Sequence, residues 1–224
     1  MTRSAGEAQA SSRVDLSCDL RGTQRKHGYR RLMPSNALAD WRGRRCRRLA
    51  NIWAVHDGLP LSWQQEQAEL LLVVKMAAEF QGFSRDLHDL SIDFLADSAS
   101  QGNMELKVAL KAGITSDRGL NRNNAGPDTL EKDFLRIGLK FWQYVESAGQ
   151  VARGWRGDLR AMMDARNSIA HDDEERLLKL RASGLVIDVK QVKAWQSSLD
   201  GLAATMDDVV SGYLGGMMGV PRPW

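Results

Sequence analysis

Apolar side chains recur every three or four positions through most of this chain, and no stretch shows the strict alternation of a half-buried strand. Ser62 with Gln65 forms an N-terminal capping box. It predicts a helix running to about Ala96, with Ala68, Leu72, Met76, Phe83, Leu87, Leu90 and Phe94 on one face. A short helix closed by Gly113 is expected within residues 101–113, then a loop over 117–127. Asp128 with Glu131 is a second box, predicting one helix through about Glu146 that carries Phe134, Leu135, Leu139, Trp142 and Val145. A glycine-broken loop follows, and a further helix starts near Asp158. Asp188 with Gln191 opens the last helix, with Val192, Trp195, Leu199, Leu202, Met206, Val209 and Tyr213. The apolar "GLVI" at 184–187 is too short and isolated to make a sheet. The expected fold is all-α, a bundle of four to five helices over residues 61–214. Residues 1–60 read as a basic, largely disordered arm, weakly helical between about 38 and 56, and 215–224 as a flexible tail.

Charge sharpens that division. The net charge of +3 conceals a balance of +8 in residues 1–50 and −5 in residues 51–224. A basic arm on a mildly acidic body suits a polyanionic partner. Its densest part, "WRGRRCRRL", combines Trp41 with Arg42, Arg44, Arg45, Arg47 and Arg48, a pattern compatible with phosphate contacts and base stacking. It is equally the pattern of a basic leader without a specific partner. No apolar run approaches the length of a membrane span, and the N-terminus lacks the hydrophobic segment of a secretory signal. Cys18 and Cys46 have no partners at metal-ligand spacing, so reduced thiols in a cytoplasmic protein are expected.

The candidate chemistry lies in "MMDARNSIAHDDEER", residues 162–176. On a helical wheel Leu159, Met162, Met163, Ile169, Ala170 and Leu177 form one stripe, with Arg166 near its centre. Asn167 and His171 share a neighbouring face, with Asp164 close by. A charge on a core-facing stripe is costly unless it is paired or lies at an interface. An arginine followed by a histidine a few residues later carries almost no information. The tighter form R-N-x-x-x-H is expected by chance roughly 0.01 times in a chain of this composition. Asp172, Asp173, Glu174 and Glu175 read as a solvated helix face.

"ARNSIAH" resembles the signature of HEPN domains, small α-helical bundles many of which are metal-independent endoribonucleases of toxin–antitoxin, abortive-infection and CRISPR-linked systems. The context is similar to the branch called RiboL-PSP-HEPN. It has a long first helix with a Glu-Phe pair ("AAEFQGFSRDLHDL"), a helix ending in aromatics ("FLRIGLKFWQYV"), the R-N-x-x-x-H helix and a final amphipathic helix. The resemblance covers residues 61–214. One departure falls directly after His171, where such domains often carry Gly and this chain has "DDEER". The resemblance implies an RNA substrate, a homodimer whose site spans the two-fold axis, and a cognate antitoxin.

The residue types suit that chemistry. RNA carries its own nucleophile, the 2′-hydroxyl. Cleavage then needs a base, an acid for the 5′-oxygen, and positive charge on the phosphorane. Histidine performs both proton transfers near neutral pH. Arginine stays charged and presents a planar set of donors to phosphate oxygens. Arg166 and His171 are therefore the catalytic candidates, with Asn167 orienting the imidazole or bonding a phosphate oxygen. Glu79, at the edge of the first helix's apolar face, either orients Arg166 or its symmetry mate, or is an exposed helix-edge glutamate. His88, opposite that face, reads as a surface residue and His56 as a turn residue. Neither a metal nor a cofactor is called for: no ligand cluster, P-loop, dinucleotide-binding glycine signature, nucleophile elbow or zinc-protease motif is present. Two rival readings remain, a non-catalytic HEPN module binding RNA, nucleotide or protein, and a plain helical scaffold. They are separated by whether Arg166 and His171 meet in an open cleft or are sealed in a packed seam.

Overall fold

The computed structural model describes residues 33–171, 173–182 and 184–224, and among these the regular structure is helical with no strand. Ser35 caps the first helix by accepting from Leu38 N. α1 (Asn36–Asp40) passes through a π-helical turn at Trp41–Arg45 into α2 (Cys46–Gly58). The long stripe after Ser62 becomes α3 (Ser62–Ser100), a 39-residue helix about 58 Å long. It packs against α2, α4 (Met104–Thr115), α7 (Ala152–Ala170) and α9 (Val189–Met218). Between α4 and α7 lie α5 (Pro127–Leu135) and α6 (Phe141–Ser147), and α8 (Glu174–Ala182) follows α7. No helix among the described residues is long and apolar enough to cross a membrane.

The largest departure from the sequence reading is at the N-terminus. Residues 36–58 are part of the core, not a disordered arm; the stretch 1–32, with Cys18 and His27, lies outside the described residues. Trp41 is 1% exposed, wedged against Phe80 and Phe83, with its indole Nε1 donating to Asp200 at 2.9 Å. Leu49 and Trp53 continue the same buried face about two and three helical turns on. Cys46 is buried too, its Sγ directed at Asp200. Trp41 and Arg45, four residues apart across the π-helical turn, share the core side.

Other boundaries shift for local reasons. The helix expected to run from 128 to 146 is two helices. Gly138 adopts φ +85 between them, and the Tyr213 hydroxyl, which donates to Ile137 O, fills the space a Cβ would need. α5 starts one residue early because Pro127 occupies its first turn. At α3 the Ser62 side chain does not cap; Gln65 reaches back to Leu59 O instead. Asp188 caps α9, its carboxylate accepting from Gln191 N. The tail is anchored: Arg222 pairs with Asp208, and Trp224 Nε1 donates to Asp207 O.

Candidate active site

α7 presents the motif. Of the apolar stripe, Leu159, Met162 and Met163 are buried within the chain, with Ala165 and Ser168 beside them, while Ile169 and Leu177 are half-buried and Ala170 is exposed. The helix stops at His171, its C-cap residue, whose backbone N–H donates to Asn167 O. Asp173 N then bonds Ser168 O, and the Asp173 carboxylate caps α8 through Arg176 N at 2.9 Å. Part of the acidic run after the histidine is thus a helix cap, and Glu175 pairs with Lys179. Asp172 lies outside the described residues.

The facing wall is the loop between α4 and α5, and buried polar groups hold it in place. Asp133 on α5 accepts from Gly119 N and Leu120 N at 2.9 and 2.6 Å. Gln81 on α3 donates to Leu120 O and Asn123 O. Arg118, 5% exposed, pairs with Asp89 and donates to His88 Nδ1, while His88 Nε2 donates to Asp133 O. Burial pushes the His88 pKa below its ordinary value, which keeps the ring neutral and suits one donor and one acceptor nitrogen. His88 is therefore an internal tie, not a surface residue: α3 is enclosed by other elements on its supposed polar face. His56 is buried as well, between Asp57 and Glu69.

Between these walls lies an open cleft of about 540 Å³ whose lining includes Arg166, Asn167 and His171 together with Arg122, Asn124, Arg160 and Arg176. Arg166 is half-buried and His171 exposed. The Arg166 guanidinium donates to Asn167 Oδ1 at 3.1 Å, and Asn124 Nδ2 donates to the same oxygen at 2.7 Å. Because arginine only donates, the atom it meets must be the amide oxygen. Asn167 is thereby fixed with its NH₂ available as a donor. No carboxylate among the described residues pairs with Arg166, whereas Arg122, Arg160 and Arg176 pair with Asp117, Asp128 and Asp164. His171 is the one described histidine lining this cleft. No group of three or more potential metal ligands occurs among the described residues.

Compared with protein-family models, with curated proteins and with solved structures, the chain gave no match.

The other sequence candidates lie elsewhere. Glu79 is 3% exposed and does not meet Arg166. It receives Arg48 at 2.5 Å, Lys75 at 2.9 Å and Arg45 at 3.2 Å. Burial works against its ionisation, yet hydrogen bonds from Arg48 and Lys75 and their charges bring its pKa down to about 2. Arg45 is also paired with Asp40 and Asp86, and Arg44 with Asp40. Three of the five arginines expected to meet nucleic acid are thus engaged in intramolecular ion pairs, and Trp41 has no exposed face for stacking. Arg42 and Arg47 are exposed. The sequence reading missed Arg122, Asn124, Arg160 and Arg176. For the first two, the signal was a dense group of polar side chains, "NRNN", in a short loop ahead of Gly126 and Pro127.

Proposed function

We propose that the protein is a metal-independent endoribonuclease of the HEPN type, a cytoplasmic toxin or phage-defence effector held in check by a cognate antitoxin. The observation that carries this reading is the meeting of Arg166, Asn167 and His171 in an open cleft, with Arg166 left without a carboxylate partner among the described residues. An arginine serving only as a structural tie would be paired and sealed, as Arg45 and Arg118 are.

In this mechanism the 2′-hydroxyl attacks the adjacent phosphorus and the 5′-oxygen leaves. The products are a 2′,3′-cyclic phosphate and a 5′-hydroxyl end. Imidazole removes the 2′-proton, and imidazolium protonates the departing oxygen. Arg166 holds the non-bridging oxygens as negative charge grows on them. Asn167, with its oxygen occupied by Arg166 and Asn124, offers its NH₂ to a phosphate oxygen or to the imidazole.

One histidine per cleft suggests a site completed by a second copy. In a two-fold dimer two α7 C-termini face one phosphate, supplying both base and acid. Light scattering is then expected to give twice the chain mass of 25.0 kDa. Adding excess inactive His171→Ala protein to wild type is expected to suppress cleavage, because the heterodimer holds only one of the two histidines the shared site requires. A fully active monomer would overturn the shared site, and RNA binding without cleavage would favour the non-catalytic reading.

A further inference from the structure

We infer that Arg122, Arg160 and Arg176 are phosphate subsites on either side of the reacting position, so that the substrate is an extended single strand of RNA. This rests on the nuclease reading for what is cut, but not for what is bound.

The three arginines come from three separate elements: the α4–α5 loop, α7 and α8. All line the cleft that contains Arg166 and His171. Each is held by one carboxylate, Asp117 at 2.8 Å, Asp128 at 3.1 Å and Asp164 at 3.2 Å. These pairs are open to water: the arginine side chains are 71%, 54% and 48% exposed and their partners 71%, 67% and 41%. Exposed pairs of this kind are weak and readily exchanged. A phosphate can accept two parallel N–H bonds from a guanidinium, and each displaced carboxylate returns to solvent. The Arg45–Glu79 pair is the opposite case, nearly buried on both sides and fixed by several partners. Arg166 needs no such exchange, since it has no acidic partner to lose among the described residues.

A mononucleotide or dinucleotide occupies at most the reacting position and one neighbour. Four cationic side chains around one cleft match a strand that presents successive phosphates. An unpaired strand also lets the 2′-oxygen, phosphorus and 5′-oxygen come into line, an alignment that the regular A-form backbone opposes. Single-stranded loops are, moreover, where bases and backbone are open to side chains. Asp128 and Asp164 then act against binding, because each competes with a phosphate for its arginine.

The test is a salt titration of binding to a fluorescent single strand whose 2′-hydroxyls are replaced by hydrogen, so that no cleavage occurs. It uses the full chain and the variants Arg122→Ala, Arg160→Ala, Arg176→Ala, Asp128→Asn and Asp164→Asn, each checked by its thermal melt. Each arginine variant is expected to bind roughly threefold more weakly near 0.1 M salt and to lose about 0.7 from the log–log salt slope. The two asparagine variants are expected to bind more tightly, which a merely structural carboxylate would not produce. In parallel, the all-ribose strand should be cut much faster than a dinucleotide. Unchanged slopes, asparagine variants that bind no better, preference for a duplex, or equal rates on strand and dinucleotide would overturn the inference. A strand that binds with the expected arginine dependence but is never cut would sink the nuclease reading and leave the subsites standing.

Discussion

Replacing His171 with alanine is expected to lower the rate of RNA cleavage by about 10²–10⁴-fold, the range for loss of a positioned acid–base group. The melting temperature should stay within about 2 °C of wild type, because exposed positions away from packing or polar networks usually change stability little. His171 is exposed and terminates α7 through its backbone, which alanine retains. Arg166→Ala is expected to reduce cleavage comparably, but it also frees Asn167 on one side, since Arg166 supplies one of the two donors to Asn167 Oδ1. Single-turnover rates and thermal melts on the same preparations check both. A His171→Ala protein that cleaves at the wild-type rate would remove histidine from the mechanism.

The second large effect falls on stability. Glu79→Ala is expected to destabilise the protein by about 3 kcal/mol, the low end for a broken buried ion pair, because Arg48 and Lys75 lose their shared carboxylate while Arg45 keeps Asp40 and Asp86. For a chain of this size that lowers the melting temperature by roughly 10 °C. Glu79 and Arg45 join α3 to the segment that carries Trp41, so α1 and α2 should loosen first. Gly82 belongs to the same joint: a Cβ there would collide with the Arg45 guanidinium. The pH dependence follows from the depressed Glu79 pKa. The stabilisation is fully present above the ordinary carboxylate pKa of 4.5 and is lost as pH falls from there towards about 2. Glu79→Gln should flatten that acid limb. If Glu79 instead oriented the catalytic arginine, its loss would reduce cleavage and leave the melt unchanged.

The sequence disclosed the helical class, the course of α3 and α9 and the C-terminal part of the motif helix, because amphipathic periodicity and caps such as Asp188 are local signals; α7 begins at Ala152, not near Asp158, and runs through Gly154 and Gly157. The N-terminal segment was not legible, because dense charge there does not mean exposure. Arg45 and Arg48 are in fact consumed by Glu79, and Trp41 by the core, through contacts made over 30 residues away. The same holds for His88, whose polar partners Arg118 and Asp133 lie 30 and 45 positions on. At the site, Arg166, Asn167 and His171 were visible because they share one helix. Asn124 was not, because its bond to Asn167 spans 43 residues and depends on how Asp133 and Gln81 hold the loop. A helical wheel also places Arg166 at the centre of the buried stripe. The structure shows it half-buried at the cleft, where the final turn of α7 emerges from the core.

The nature of the RNA ends tests the central claim most directly. A defined single strand is incubated with wild-type protein and with His171→Ala in EDTA, and both new ends are identified by mass and by their response to polynucleotide kinase. Cleavage by the 2′-hydroxyl predicts 2′,3′-cyclic phosphate and 5′-hydroxyl ends from the wild type in the presence of chelator, and intact RNA from the variant. Ends bearing 5′-phosphate and 3′-hydroxyl, or the same ends from both proteins, would contradict it.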